Sequence, residues 1–152
     1  MSVDLILSAL FWTTFAIVIS QVVSIMLMWW LGLPPGKLSE EIVIVQNPAV
    51  GACFFIISLA ASLFIGLMAS SGFTSDPTFA EGATWIVGGL VVASLYTALA
   101  FSIAHRLMEP VKGEGLYAYL RREIIDEQNV ALALFYGGLS ITPFIAVVFQ
   151  LI

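Results

Sequence analysis

Four long apolar stretches, each sufficient to cross a bilayer, constrain this chain more than any other feature. They run from Leu5 to Leu33, from Asn47-Pro48 to near Ser70-Ser71-Gly72, from about Ala83 to Ile103, and from about Val130 to Ile152. A spanning helix needs about 20 apolar residues to cover roughly 30 Å of hydrocarbon. Strands with open edges would leave peptide groups unpaired in lipid, so each stretch is expected to be a helix. Composition agrees. Of 152 residues, 61% are apolar and 10% are charged, against about 25% charged in an ordinary soluble domain. A chain this short cannot bury so much apolar surface in one core. The expected fold is all-α and integral to the membrane, one membrane domain over 1–152 with the lipid bilayer as its solvent. The first stretch, about 43 Å long if helical throughout, exceeds the hydrocarbon and must tilt or protrude.

Charge sets the expected orientation, because short loops rich in Lys and Arg stay on the cytoplasmic side. Lys37 lies between spans one and two, and Arg106, Lys112, Arg121 and Arg122 lie between spans three and four. The tails and the loop Ser70 to Gly82 carry no Lys or Arg, so both termini are expected to face the periplasm. Met1 to Asp4 also lack a cation, and the apolar stretch that follows outruns a signal-peptide core, so it is expected to remain in the mature protein. With a net charge of -5 and scattered cations, there is no basic stripe for nucleic acid or for polybasic lipid docking. The single cysteine, Cys53, sits in an apolar run and excludes an internal disulfide.

Sliding the chain along itself by 82 residues superimposes Glu41-Ile42 on Glu123-Ile124, and Gln46-Asn47-Pro48-Ala49 on Gln128-Asn129-Val130-Ala131. The matched blocks occupy the same place in each half, just before the second helix of a pair. This pattern predicts two tandem two-helix repeats, 1–72 and 83–152, joined by a connector over 73–82 that includes Asp76 and Glu81. Two units with an even number of spans point the same way, related by a pseudo-two-fold axis along the membrane normal. At these residues the chain resembles the YjfL-like family of bacterial inner-membrane proteins, a domain of unknown function. The shared mark is Asn-x-Ala opening the second helix of each pair, here Asn47-Pro48-Ala49 and Asn129-Val130-Ala131. Small residues follow as Gly137 and Gly138 in the second copy, whereas Phe55 and Ile56 stand there in the first. The resemblance implies a four-helix envelope protein linked to membrane stress, and it brings no catalytic residues.

Asn47 and Asn129 read as N-caps, with Pro48 at a first helical position where no amide hydrogen is needed. The alternative is that the two amides face each other and line a polar opening. Glu41 and Glu123 lie six residues before their asparagines, in segments that read as wet interfacial helix. From Leu116 to Gln128 the apolar residues Tyr117, Leu120, Ile124 and Ile125 fall at helical spacing, with Arg121, Arg122, Asp126 and Glu127 around the other side. A short interfacial helix is therefore expected before span four. Turned inward, Glu41 and Glu123 would instead form a carboxylate pair for a cation or proton.

Small residues recur every fourth position, as Ser58, Ser62, Gly66 and Ser70 on span two and Gly89, Ala93 and Thr97 on span three. Such stripes let helix backbones approach in lipid, within the bundle or between subunits, and a homodimer is the commonest closed assembly. Gln21, flanked by Ser20 and Ser24, is expected to bond to a neighbouring helix. His105 and Arg106 suit a helix C-terminus, and Trp29, Trp30 and Trp85 suit interfacial anchors. One His and one Cys make no metal cluster, and no nucleophile motif or glycine loop is present, so neither catalysis nor a cofactor is expected. The leading expectation is a membrane-embedded scaffold or accessory subunit with a cytoplasmic protein partner. The alternative is a small homo-oligomeric channel or transporter for a cation or small solute, lined by Glu41, Gln46, Asn47, Glu123, Gln128 and Asn129.

Overall fold

The computed structural model describes residues 3–71, 79–108 and 113–151. Lys112 and most of the expected connector, 73–78, lie outside the described residues. The described residues form six α-helices: α1 (Val3–Trp30), α2 (Pro35–Val43), α3 (Pro48–Ser71), α4 (Phe79–Leu107), α5 (Leu116–Arg121) and α6 (Val130–Leu151). A π-helical turn, Arg122–Asp126, extends α5. Four of these helices, α1, α3, α4 and α6, are long and apolar enough to cross a membrane. The fold is that of a multi-pass membrane protein.

Local chemistry explains the helix ends. The amide of Leu33 donates to the Met28 carbonyl at 2.9 Å and that of Gly32 to Trp29 at 2.9 Å, a Schellman closure of α1. Gly32 adopts φ 93°, which a residue without Cβ accepts at little cost. Leu33 and Met28, the apolar pair that accompanies such a cap, are fully buried. Pro35 then opens α2 at a position where its missing N–H removes no helical bond. Span three proves longer than the expected Ala83 to Ile103. Glu81 stands in the first turn of α4 and His105 and Arg106 in its last, where each sign complements the helix dipole. The helix thus continues past its apolar stretch. A short amphipathic helix precedes span two as well as span four, the first being α2.

The two inner helices α3 and α6 make the most extensive contact, α1 packs on α3, and α4 packs on α6. Among the described residues no Cα of α1 comes within 8 Å of one of α4. One core cluster gathers Met28 and Leu31 from the end of α1, Val50 from the start of α3, Ala104 from the end of α4 and Leu132 from the start of α6. The inner pair is therefore parallel, with both outer helices antiparallel to it. A second cluster at the other end joins Phe64 and Ile65 to Ile86, Ala93, Phe144 and Val148.

The small-residue expectations divide. Gly89 and Ala93 are buried in the bundle, and Gly137 takes part in the closest approach of α3 to α6. A Cβ at Gly137 would lie 2.5 Å from Cδ1 and 2.8 Å from Cγ2 of Ile56. The branched residue of the first half thus fills the space left by the glycine of the second. Gly138 is exposed, with nothing within 4 Å of a Cβ placed there. Ser62 is exposed and Gly66 only half-buried. Both line a groove between α1 and α3, because α1 crosses beside that part of α3 without covering it. Ser58 is half-buried, and the side chain of Ser70 lies outside the described residues. Gln21 also departs from expectation. Its side chain is exposed and makes no hydrogen bond among the described residues, while Ser20 and Ser24 turn back to the carbonyls of Ile17 and Ser20.

Candidate functional site

The polar residues that recur along the chain come together at the end of the bundle bearing α2 and α5. In the first half the amide of Val45 donates to the Glu40 carbonyl at 3.0 Å and that of Asn47 to Glu41 at 2.9 Å. In the second, Glu127 donates to Arg122 at 2.9 Å and Asn129 to Glu123 at 2.8 Å. These bonds span five and six residues instead of four, so each of these short helical segments ends in a widened turn. Left-handed residues close both turns, Gln46 at φ 56° and Gln128 at φ 53°. The closing position favours glycine or asparagine, and a side chain there costs about 1–2 kcal/mol. Glycine at either position is expected to leave thermal stability unchanged or raise it by about 1 kcal/mol. Valine is expected to lower it by at least about 1 kcal/mol. Heating in detergent, with a maleimide dye reporting exposure of Cys53, measures both.

Each asparagine then caps the helix that follows. Asn47 Oδ1 accepts from the amides of Ala49 at 3.0 Å and Val50 at 3.1 Å, and Asn129 Oδ1 accepts from Leu132 at 3.1 Å. Each side-chain amide also donates to the glutamate six residues earlier, Asn47 to Glu41 at 3.2 Å and Asn129 to Glu123 at 2.8 Å. The glutamates are thus partners of the caps, and no bond joins the two asparagines or the two carboxylates to each other among the described residues. Here the halves diverge. Asn47 Nδ2 reaches across to the carbonyls of Ile124 at 3.2 Å and Ile125 at 3.1 Å, inside the π-helical turn of the other half. Asn47 is 3% exposed and Glu41 8%.

The segment before α6 carries a charged cluster instead. Arg122 holds Glu114 through both carboxylate oxygens at 3.0 and 3.1 Å, Glu123 at 2.9 Å, and Glu127. Its guanidinium carbon lies 5.7 Å from the centre of the Tyr119 ring. The hydrogen bonds from Arg122 hold the Glu114 carboxyl below the usual carboxylate range, and those to Glu114 and Glu127 push the guanidinium further up. Burial is the main cause raising the Tyr119 phenol, with the Glu123 carboxylate adding to it. Because the Glu114 value is depressed, this ion pair is fully formed above the ordinary carboxylate range and is lost only as pH falls through the lowered value. His105 Nε2 lies 3.0 Å from the Glu114 carbonyl, which assigns the proton to that nitrogen.

The chain matches, over residues 1–148, the model of a family described as Domain of Unknown Function (DUF350). It belongs to that family. No curated protein and no solved structure matches it. The residues that link the two halves of this DUF350 chain were half visible in its sequence. The Glu/Asn pairs stand out by their recurrence. Glu114 and the carbonyls of Ile124 and Ile125 carry no such mark, since backbone acceptors are freed only by the way the turn widens. Among the described residues no group of three His, Cys, Asp or Glu side chains is placed to hold a metal ion.

Proposed function

We propose that the protein is a membrane-embedded scaffold or accessory subunit of the bacterial inner membrane, built from two tandem two-helix units, 1–72 and 83–152. Recurrence of the same widened turns and caps at an offset of 82 residues supports the duplication. The distribution of Lys and Arg supports a cytoplasmic location for α2 and α5 and a periplasmic one for both termini. Resemblance to the YjfL-like proteins supports a place in an envelope-stress system.

One observation carries the scaffold reading: the asparagines and glutamates of the recurring motif are used to hold the fold together, while the side chains of Gln46 and Gln128 are exposed. Asn47 spends both the oxygen and the amide of its side chain on caps, a carboxylate and two carbonyls. A conduit needs such groups free to solvate a passing ion. With its asparagines and glutamates tied down, this end of the bundle is a charged platform for a cytoplasmic partner, with no catalytic chemistry.

Purified protein in liposomes is expected to pass no more H⁺, Na⁺ or K⁺ than empty vesicles. A photo-crosslinker at Tyr117 or Glu127 in intact cells is expected to trap one reproducible cytoplasmic protein, and one at Phe149 is not. A cation leak abolished by Asn47→Leu with Asn129→Leu would replace the scaffold with a conduit, and indiscriminate or empty crosslinks would end the scaffold reading.

A further inference from the structure

The flank formed by α1 and α3 differs from the rest of the bundle's lipid-facing surface. A groove of about 440 Å³ runs along it, with Thr13, Ala16, Ser20, Gln21, Ser62 and Gly66 among its lining. Most hydroxyls on the opposite flank bond back to their own helix, exposed Ser94 being without a hydrogen bond among the described residues. Thr97 donates to the Ala93 carbonyl at 2.9 Å, Ser102 to Ala98 at 2.7 Å, and Ser140 to Gly137 at 2.7 Å. In the groove only Ser20 does this. Thr13, Gln21 and Ser62 are exposed, and none of their side chains makes a hydrogen bond among the described residues.

Depth makes Gln21 the costly member of this set. It lies nine residues before Trp30, the exposed interfacial tryptophan at the end of α1, so about 14 Å along the helix. That is close to the middle of a hydrocarbon layer of roughly 30 Å. Lipid tails offer neither donor nor acceptor, and an amide left unpaired there is strongly unfavourable. What pairs with it must be polar and at the same depth. A primary amide both donates and accepts, so two copies of Gln21 related by an axis along the membrane normal satisfy each other. Such an axis also keeps both at one depth. Ala16, Ser20 and Gly66 beside it are small enough to let a helix approach closely.

We propose that the α1–α3 flank is where two copies of this chain meet, with the Gln21 amides exchanging hydrogen bonds across the two-fold axis and Thr13 and Ser62 beside them. The proposal needs the membrane reading alone and stands or falls apart from the scaffold.

In a Cys53→Ala background, Gln21→Cys in native membranes is expected to form a disulfide-linked dimer on mild oxidation. Leu95→Cys, on the exposed face of α4, is expected to stay monomeric. Gln21→Leu, which suits the bilayer at least as well, is expected to weaken dimerisation about tenfold, read by single-molecule photobleaching across a series of protein-to-lipid ratios. A wild-type chain that stays monomeric in lipid overturns the proposal. So does crosslinking at position 95 in place of 21, an unchanged Gln21→Leu dimer, or a lipid or foreign protein found in the groove.

Discussion

Asn47→Ser is expected to destabilise the protein by about 2–4 kcal/mol, several times the cost of Asn129→Ser, when thermal unfolding in detergent is followed through Cys53. Serine is as good an N-cap as asparagine, so the substitution keeps the bonds to the Ala49 and Val50 amides and removes only the side-chain amide. That amide serves Glu41 and the carbonyls of Ile124 and Ile125. A buried acceptor deprived of its donor costs about 1–3 kcal/mol, and more if charged. Glu41 is 8% exposed, and its carboxylate loses the Asn47 donor. At Asn129 the same change removes one bond, and Glu123 keeps Arg122 at 2.9 Å. Equal and small losses at both positions would reduce Asn47 to a simple cap and remove the cross-link between the halves.

Gly137→Ala is expected to cost about 1–3 kcal/mol, the usual penalty for forcing an extra methyl into a packed core. The collision is with Ile56, at 2.5 Å from its Cδ1 and 3.2 Å from its Cβ. Moving the tip of the isoleucine alone does not clear it. Ile56→Ala by itself opens a cavity and is also destabilising, yet in combination it admits the new methyl. The double variant is therefore expected to be more stable than the sum of the two losses implies, by about 1 kcal/mol or more. Strict additivity in the same assay would show that α3 and α6 do not meet at these residues. Gly138→Ala, inside the same helix with open space at its Cβ, is the control and is expected to be neutral or up to about 1 kcal/mol stabilising.

These two sites show how far the sequence could be read. Asn47 and Asn129 attract notice as caps preceding apolar runs, and their glutamates by recurring six residues earlier. Capping is local, so this much is written along the chain. That Asn47 also closes the π-helical turn of the other half is not, because the carbonyls of Ile124 and Ile125 lie 77 and 78 residues away. In the same way Ile56 and Gly137 occupy nearly equivalent places in the two halves, and their complementarity is seen only once α3 lies against α6. Ser62 and Gly66 followed the spacing of a packing stripe, yet they border an open groove.

The sequence by itself determined the number of spans, their helical state and the amphipathic segment before the fourth. A hydrocarbon solvent dictates length and backbone pairing residue by residue, with no reference to neighbours. Tertiary structure decided which asparagine became the bridge, which glycine became the contact, and that the Gln21 side chain makes no hydrogen bond among the described residues. Each of those outcomes depends on the relative placement of whole helices, and side chains of equal chemistry acquire different partners according to which helix lies beside them.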